Sequence, residues 1–458
     1  MKTYQDLAKL GDTDRTDFVY EAISEHQSSD AYRQAIIAKE YAAQRNVTIT
    51  KYQKTLYDMA GRAKPDLWSP NYKLCSNFFD RFVTQQVQFL LGNGCSWDND
   101  ATASKLGDDF DGKLREADKH SLIQGVSFGF MNYDHLDVFE LAEFVPLYDE
   151  ENGALMAGIR FWQIDKDKPL RATLYEIDGY TDYLYKQGGG TILNEKRTYK
   201  LSVKSSEADG DYIFDGENYP VFPIVPLWAN QYKQSELIGL RGEIDAYDFI
   251  KSGFANDLDG AQLYWVINNA GGMDDIDLAK FIDLAKFIER MKTVHAAVME
   301  DDGAKAEAHE VNVPHAAREA LLDRLRSDMY EDYMALDTKN LGSGAITATQ
   351  IRAAYEPMNS KADEHEALVK DFIAGLLYVI GVDDSPTFAR STIVNTKEEI
   401  DTIVAAATFL PQEYVIKRIL SILGDSEHID DVMTMLDNED ASRFAYSEEP
   451  QEEPQEVE

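Results

Sequence analysis

Basic residues are scarce in this chain: 45 lysines and arginines stand against 82 aspartates and glutamates, a formal charge of −37. Such a balance argues against a surface that grips nucleic acid by neutralising its phosphates, so any DNA partner has to be handled another way. Cysteine is nearly absent. Cys75 and Cys95 are the only two and show neither metal-ligand nor disulfide-framework spacing, which fits a reduced, intracellular chain. Long apolar runs are missing too. The longest, "FIAGLLYVIGV" from Phe372 to Val382, falls far short of the roughly 20 residues that span a bilayer, and reads as a buried helix end. The opening "MKTYQDLAKLGDTDR" lacks the charged and apolar regions of a signal peptide, so secretion by that route is not expected.

What is present is enough for a sizeable core. The 458 residues are 44% hydrophobic, and at roughly 150 residues per domain they make about three domains or one elongated fold. "NFFDRFVTQQVQFLLGNG" places Phe78, Phe79, Phe82, Val83, Val87 and Leu90 at helical spacing before Gly92 and Gly94 stop it. A further helix is expected over "DGKLREADKHSLIQGVSFGFMNYD", residues 111–134, then two strands around the turn Asp149 to Gly153. From Arg171 to Lys204, Thr173, Tyr175 and Ile177, then Tyr183 and Tyr185, then Tyr199, Leu201 and Val203 alternate. That pattern predicts an antiparallel meander.

Helical spacing returns at Leu237, Leu240, Ile244, Tyr247, Ile250, Phe254 and Leu258, and again at Leu321, Leu325, Met329, Tyr333 and Leu336. Between them lies a mixed insert: a strand-like "AQLYWVIN", a helix from Asp277 to Lys292, and apolar stretches flanking the acidic "DDGAKAE". Its helix repeats "DLAKFI" in tandem. Six residues turn a helix by about 600°, so the copies face about 120° apart and form a local duplication, not an array. A last long helix carries Ile351, Tyr355, Met358, Ala362, His365, Val369, Phe372, Leu376 and Ile380. It contains Pro357, whose missing N–H and clash with the carbonyl of Ala353 predict a kink. The tail "SEEPQEEPQEVE" is too poor in apolar residues to order itself.

Chemical motifs are weak. "KNLGSGAITATQIR", Lys339 to Arg352, opens a helix with glycine and serine but lacks the later glycine-lysine-Ser/Thr of a phosphate loop and follows a helix, not a strand. "QGGGTILN" reads as a hairpin turn, and "GDDFDG" has Gly107 where a calcium loop places its first ligand, so it reads as a solvated acidic turn. No histidine pair has the spacing of a helix-borne zinc hydrolase, and His365 on its apolar stripe reads as packing. No residues make a positive case for an enzyme, a metal or a cofactor. An acidic metal-dependent hydrolase and a generic helical scaffold stay open as alternatives.

The order of the parts is more telling: a mixed α/β body, a long helix, a small insert, a returning helix, a polar loop and a proline-bearing helix. Together with "SPNYKLCSNFFDRFVTQQVQFLLGNG" and "GSGAITATQIRAAYEPMNSKADEHE", this order resembles the portal, or head-to-tail connector, protein of tailed double-stranded DNA phages, from about Asn71 to Leu423. The resemblance implies an α+β portal fold: a wing (1–234), a stem helix (235–259), a clip (260–313), a second stem helix (314–336), a tunnel loop (337–345), a kinked long helix (346–381), a crown (382–446) and an acidic tail (447–458). It implies a ring of copies, usually twelve, at one capsid vertex of the virion, assembled in the host cytoplasm. Double-stranded DNA would pass through it, driven by a separate terminase motor. The implied partners are the terminase large subunit, the major capsid and scaffolding proteins, and a head-to-tail connector; no membrane and no cofactor are implied. Lys339 and Asn340 would touch phosphates, Gly342, Ser343 and Gly344 would let the loop move, and Asp277, Lys280, Asp283, Lys286 and Glu289 would lie on the docking clip.

Overall fold

The computed structural model describes residues 2–11, 14–57, 62–67, 69–186, 189–205, 212–259, 263–268, 305–310, 315–341, 348–391 and 403–423, with isolated positions at 400, 429 and 432–435. Four helices open the chain: α1 (Tyr4–Ala8), α2 (Arg15–Ser28), α3 (Asp30–Ala42) and α4 (Val47–Lys51). The Ser29 hydroxyl accepts the Tyr32 N–H at 3.2 Å and so separates α2 from α3. A short hairpin, β1 (Thr55–Tyr57) with β2 (Ala63–Pro65), precedes α5 (Phe78–Leu91). Gly92 is the C-cap of α5, in ordinary helical conformation, and the left-handed residue that turns the chain is Gly94, at φ 75°. Then come β3 (Cys95–Ser96), α6 (Asp100–Leu106) and α7 (Phe110–Gln124).

Here the structure departs from the sequence expectation. α7 stops at Gln124, not at Asp134, because Gly125 takes a left-handed φ of 93° and its N–H closes onto the Ser121 carbonyl. The apolar run beyond it is strand β4 (Val126–Asn132), buried on both faces, where a continuous apolar run cannot be told from a helix by period alone. β4 pairs with β5 (His135–Glu140). Next, β6 (Phe144–Tyr148), β7 (Leu155–Trp162), β8 (Leu170–Glu176), β9 (Gly179–Lys186) and β10 (Gly189–Arg197) form an antiparallel meander, each strand beside its sequence neighbour; of the residues expected in it, Tyr199, Leu201 and Val203 lie outside. Ile177 falls in the β8–β9 turn, not in a strand, and is 40% exposed. A hairpin of β11 (Lys200–Ser205) and β12 (Tyr212–Glu217) follows, and β13 (Ile224–Trp228) completes a sheet in the order β13-β4-β5.

Helix α8 (Leu237–Asp259) is about 34 Å long at 1.5 Å per residue. Beyond it β14 (Leu263–Asn268) pairs antiparallel with β15 (Lys305–Glu310), and α9 (His315–Tyr333) returns. Arg318 meets Asp257 at 2.5 Å and the His315 and Phe254 rings lie 5.4 Å apart, which fixes α8 and α9 as an antiparallel pair. The apolar stripe of α8 is buried only at its start: Leu237, Leu240 and Ile244 are inside, whereas Leu258 is 57% exposed. After a 3₁₀ turn (Thr338–Leu341), α10 (Ala348–Ile380) runs 33 residues as one helix with Pro357 inside it. It ends at Gly381, whose φ of 68° lets the N–H groups of Gly381 and Val382 reach back to the carbonyls of Tyr378 and Leu377. β16 (Thr387–Phe388) pairs with β3, and α11 (Gln412–Leu423) follows. Among the described residues no helix is long and apolar enough to cross a membrane.

Three of the apolar cores among the described residues are large. α1 and α2 cover one face of the meander through Leu7, Phe18 and Ile23. α5, α7, α8 and α9 enclose Phe78, Phe82, Ile244, Met329 and Tyr333. The C-terminal half of α10 packs Val369, Phe372 and Leu376 onto β4 and β13.

A polar ladder ties the N-terminal region to α8. Residues 72–76 run extended along the helix: the N–H groups of Tyr72, Leu74 and Ser76 donate to the side chains of Asn256 (2.6 Å), Ser252 (3.0 Å) and Asp248 (2.8 Å). The spacing explains the match. Four helical residues advance about 6.0 Å and two extended residues about 6.6 Å, so every second amide meets every fourth side chain. Asp248 also accepts the Asn46 amide, and burial pushes its carboxyl above the usual range. Asp248→Ala is expected to cost about 1–3 kcal/mol, because two buried donors lose their acceptor. Hydrogen exchange of the Ser76 amide should accelerate; unchanged protection there would show that the ladder does not hold the segment.

Candidate functional site at the junction of three helices

The sequence singled out the stretch between α9 and α10, and the structure shows how it is rooted. α9 ends in a reversal in which Met334 N–H bonds the Glu331 carbonyl and Ala335 N–H the Tyr330 carbonyl. Met334 sits at φ 60°, a place where glycine is usual, so no residue type in the sequence marks this turn. The chain then runs back along α9. Leu336 is buried, and Asp337 receives both terminal nitrogens of Arg326, at 2.8 and 2.6 Å. Asp337 also accepts the Lys339 N–H at 3.0 Å. Burial works against this carboxylate, but the Arg326 fork and the Lys339 amide hold it below its ordinary range. The Lys339 ammonium lies 3.3 Å from Asp323, and both side chains are well exposed, at 64% and 70%.

Lys339 therefore stands in a 3₁₀ turn whose backbone Asp337 holds. Asn340 belongs to the same turn, whereas Gly342, Ser343 and Gly344 lie outside the described residues. So do Asp277, Lys280, Asp283, Lys286 and Glu289, together with the expected helix from Asp277 to Lys292.

One turn beyond Pro357, α10 carries charges into the interior. Lys361 bonds Glu236 at 2.8 Å and the Tyr333 carbonyl at 3.3 Å, with its ammonium 3.3 Å from the centroid of the Tyr333 ring. Asn230 holds the other Glu236 oxygen at 2.8 Å, and the Tyr333 hydroxyl donates to Gln86 at 2.7 Å. Burial pulls the Lys361 pKa down despite Glu236.

On the next turn His365, 3% exposed, faces Asp118 at 2.5 Å through Nε2 and the Ala229 carbonyl at 3.1 Å through Nδ1. Burial alone would lower this imidazole, but two acceptors on its two nitrogens favour the doubly protonated cation, and its pKa is raised. His365 is thus buried as its apolar stripe implied, but it works as half of an ion pair. Its partner lies 247 residues earlier on α7.

Beside these pairs is an open cleft of about 490 Å³, lined among others by Gln86, Tyr232, Glu236, Leu240, Lys361 and Glu364. Both His365 nitrogens are engaged and Lys361 is paired, so neither of these two is presented to it as a free base. Among the described residues no three His, Cys, Asp or Glu side chains are grouped to hold a metal ion.

Over 402 residues the chain is 24% identical to the portal protein of Bacillus phage SPP1, covering 79% of this chain and 75% of that one. It is 26% identical over 298 residues to the portal protein of Clostridium phage phiCD119, covering 61% of this chain and 62% of the length of that relative. Among solved structures, a chain from the neck of a native gene transfer agent particle, computed with C12 symmetry, superposes with a TM-score of 0.39 at 13% identity over 75% of this chain and 89% of that one. Residues 25–441 match the family described as "Phage portal protein, SPP1 Gp6-like", which takes in the α8–α9 pair, its insert and the returning α10. The chain belongs to that family of phage portal proteins.

Proposed function

We propose that copies of this chain close head-to-tail into a ring, a dodecamer, at one vertex of the phage capsid, and that double-stranded DNA is packaged, retained and ejected through the central channel. The observation that carries this reading is the antiparallel α8–α9 pair, with a strand pair at one end and a rooted polar turn at the other, inside a chain of the portal family. In this reading 1–234 is the wing, α8 and α9 are the stem, 260–313 is the clip that docks the terminase large subunit and later the head-to-tail connector, 337–345 is the tunnel loop, 346–381 is the long helix, and 382–446 is the crown. Capsid and scaffolding proteins are the partners during assembly in the host cytoplasm, and the virion is the final location.

A net charge of −37 suits a conduit. DNA affinity comes from cations that release counterions, and a wall poor in them lets the duplex slide. Electron microscopy of the purified protein tests the ring, with particles showing a central hole expected; a single-chain mass at every concentration and in every buffer tried would count against it. Lys339→Ala is expected to leave the ring intact and to change packaged-DNA yield or retention. Normal values of both would remove the 338–341 turn from the channel role.

A further inference from the structure

The return of the chain along α9 sets two pairs of opposite charges against each other. Asp323 and Arg326 are three residues apart on α9 and share a face, and Asp337 and Lys339 are two apart on the returning segment. The pairs cross in antiparallel order: Arg326 with Asp337 in a half-buried two-bond fork, and Asp323 with Lys339 at 3.3 Å in the open. The two contacts differ in kind. The fork shapes the root, since Asp337 also fixes the Lys339 backbone, and Arg326 is further held over the Tyr330 ring at 4.8 Å. The outer pair is single, long and solvated, the sort that contributes little to stability and exchanges readily.

We propose that Asp323 is a built-in competitor for Lys339: it holds the lysine ammonium when no phosphate is near and takes it back as each phosphate passes, so that the grip on DNA stays weak. This deepens the channel reading and rests on it. An anion that stays beside the cation lowers the net gain from any phosphate contact, because forming the new pair costs the old one. Asp323 is therefore a positioning residue for the Lys339 contact, and the Arg326–Asp337 fork keeps the two within reach.

The test uses assembled rings of the full chain and linear duplex DNA of random sequence, with affinity measured across a series of salt concentrations. Asp323→Asn is expected to tighten binding about two- to five-fold at low salt, the range released by removing an exposed pair, and to steepen the salt dependence. Glu319→Gln, an exposed carboxylate on the same helix, controls for the general loss of negative charge. In a Lys339→Ala background the Asp323→Asn gain should shrink to that of Glu319→Gln. If Asp323→Asn equals Glu319→Gln in both backgrounds while Lys339→Ala still weakens binding, the competition is overturned and the channel reading stands. If Lys339→Ala leaves binding unchanged, the phosphate contact itself fails, and the competition with it.

Discussion

Asp118→Ala is expected to lower the unfolding free energy by about 3–5 kcal/mol, the cost of leaving one half of a buried ion pair without its partner. Asp118 is fully buried and its Oδ1 faces His365 at 2.5 Å. Without it the imidazole keeps only the Ala229 carbonyl and must discard its proton or carry an uncompensated charge inside. The pH dependence is the sharper signature. In the native chain the folded His365 pKa is raised above 6.5, so its contribution is fully present below about pH 6.5 and is lost as pH rises through the folded value. In the variant burial is opposed only by the Glu236 charge and the Ala229 carbonyl and is expected to lower that pKa, so the sign reverses: stability is lost as pH falls below about 6.5. Urea denaturation from about pH 5.5 to 8.5 at fixed protein concentration reads both slopes. A His365→Gln variant should remove the native slope, and equal pH dependence in all three proteins would refute the ion-pair account.

That pair also marks the limit of sequence reading. The stripe Tyr355, Met358, Ala362, His365, Val369 and Phe372 is legible, because step sizes of three and four put those side chains on one face of α10, and all six are buried. The charge partner of His365 is not legible, since nothing local connects α10 to Asp118. The α8 and α9 helices and the β6–β9 part of the meander are readable for the same local reasons. Where local rules mislead, competing physics is identifiable: residues 126–131 are buried at every position, so neither a helical nor a strand period stands out, and only Gly125 marks the break. At Met334 the turn is made without the glycine that would announce it. The root of the candidate loop is therefore more ordered than its composition suggests. Lys339 reads as a residue of a flexible connection, yet Arg326, eleven positions before Asp337, has already fixed the backbone beside it.

Gly129→Ala is expected to cost about 1–3 kcal/mol, an overpacking penalty set by how α10 lies on its sheet. Gly129 and Val225 are register partners on β4 and β13. A methyl group on Gly129 would lie 2.5 Å from Phe372 Cζ and 3.2 Å from Leu136 Cδ1, and one on Gly375 would lie 2.7 Å from Val225 Cγ1. Phe372 and Gly375 are three residues apart on one face of α10, so the two surfaces interlock: the helix ring fills the strand glycine, and the strand valine fills the helix glycine. Phe372 is 1% exposed and cannot turn away into solvent. Phe372→Ala alone should cost about 3–5 kcal/mol from lost burial and the cavity left behind. The two lesions should not add. With the ring gone, the alanine at 129 occupies part of the space it vacated, so the double variant should be more stable than the sum of the singles by about 0.5–3 kcal/mol. Strict additivity would mean that α10 and β4 separate instead of interlocking. The long helix carrying Lys361, His365 and the candidate loop would then be held to the body by its ion pairs and not by this contact.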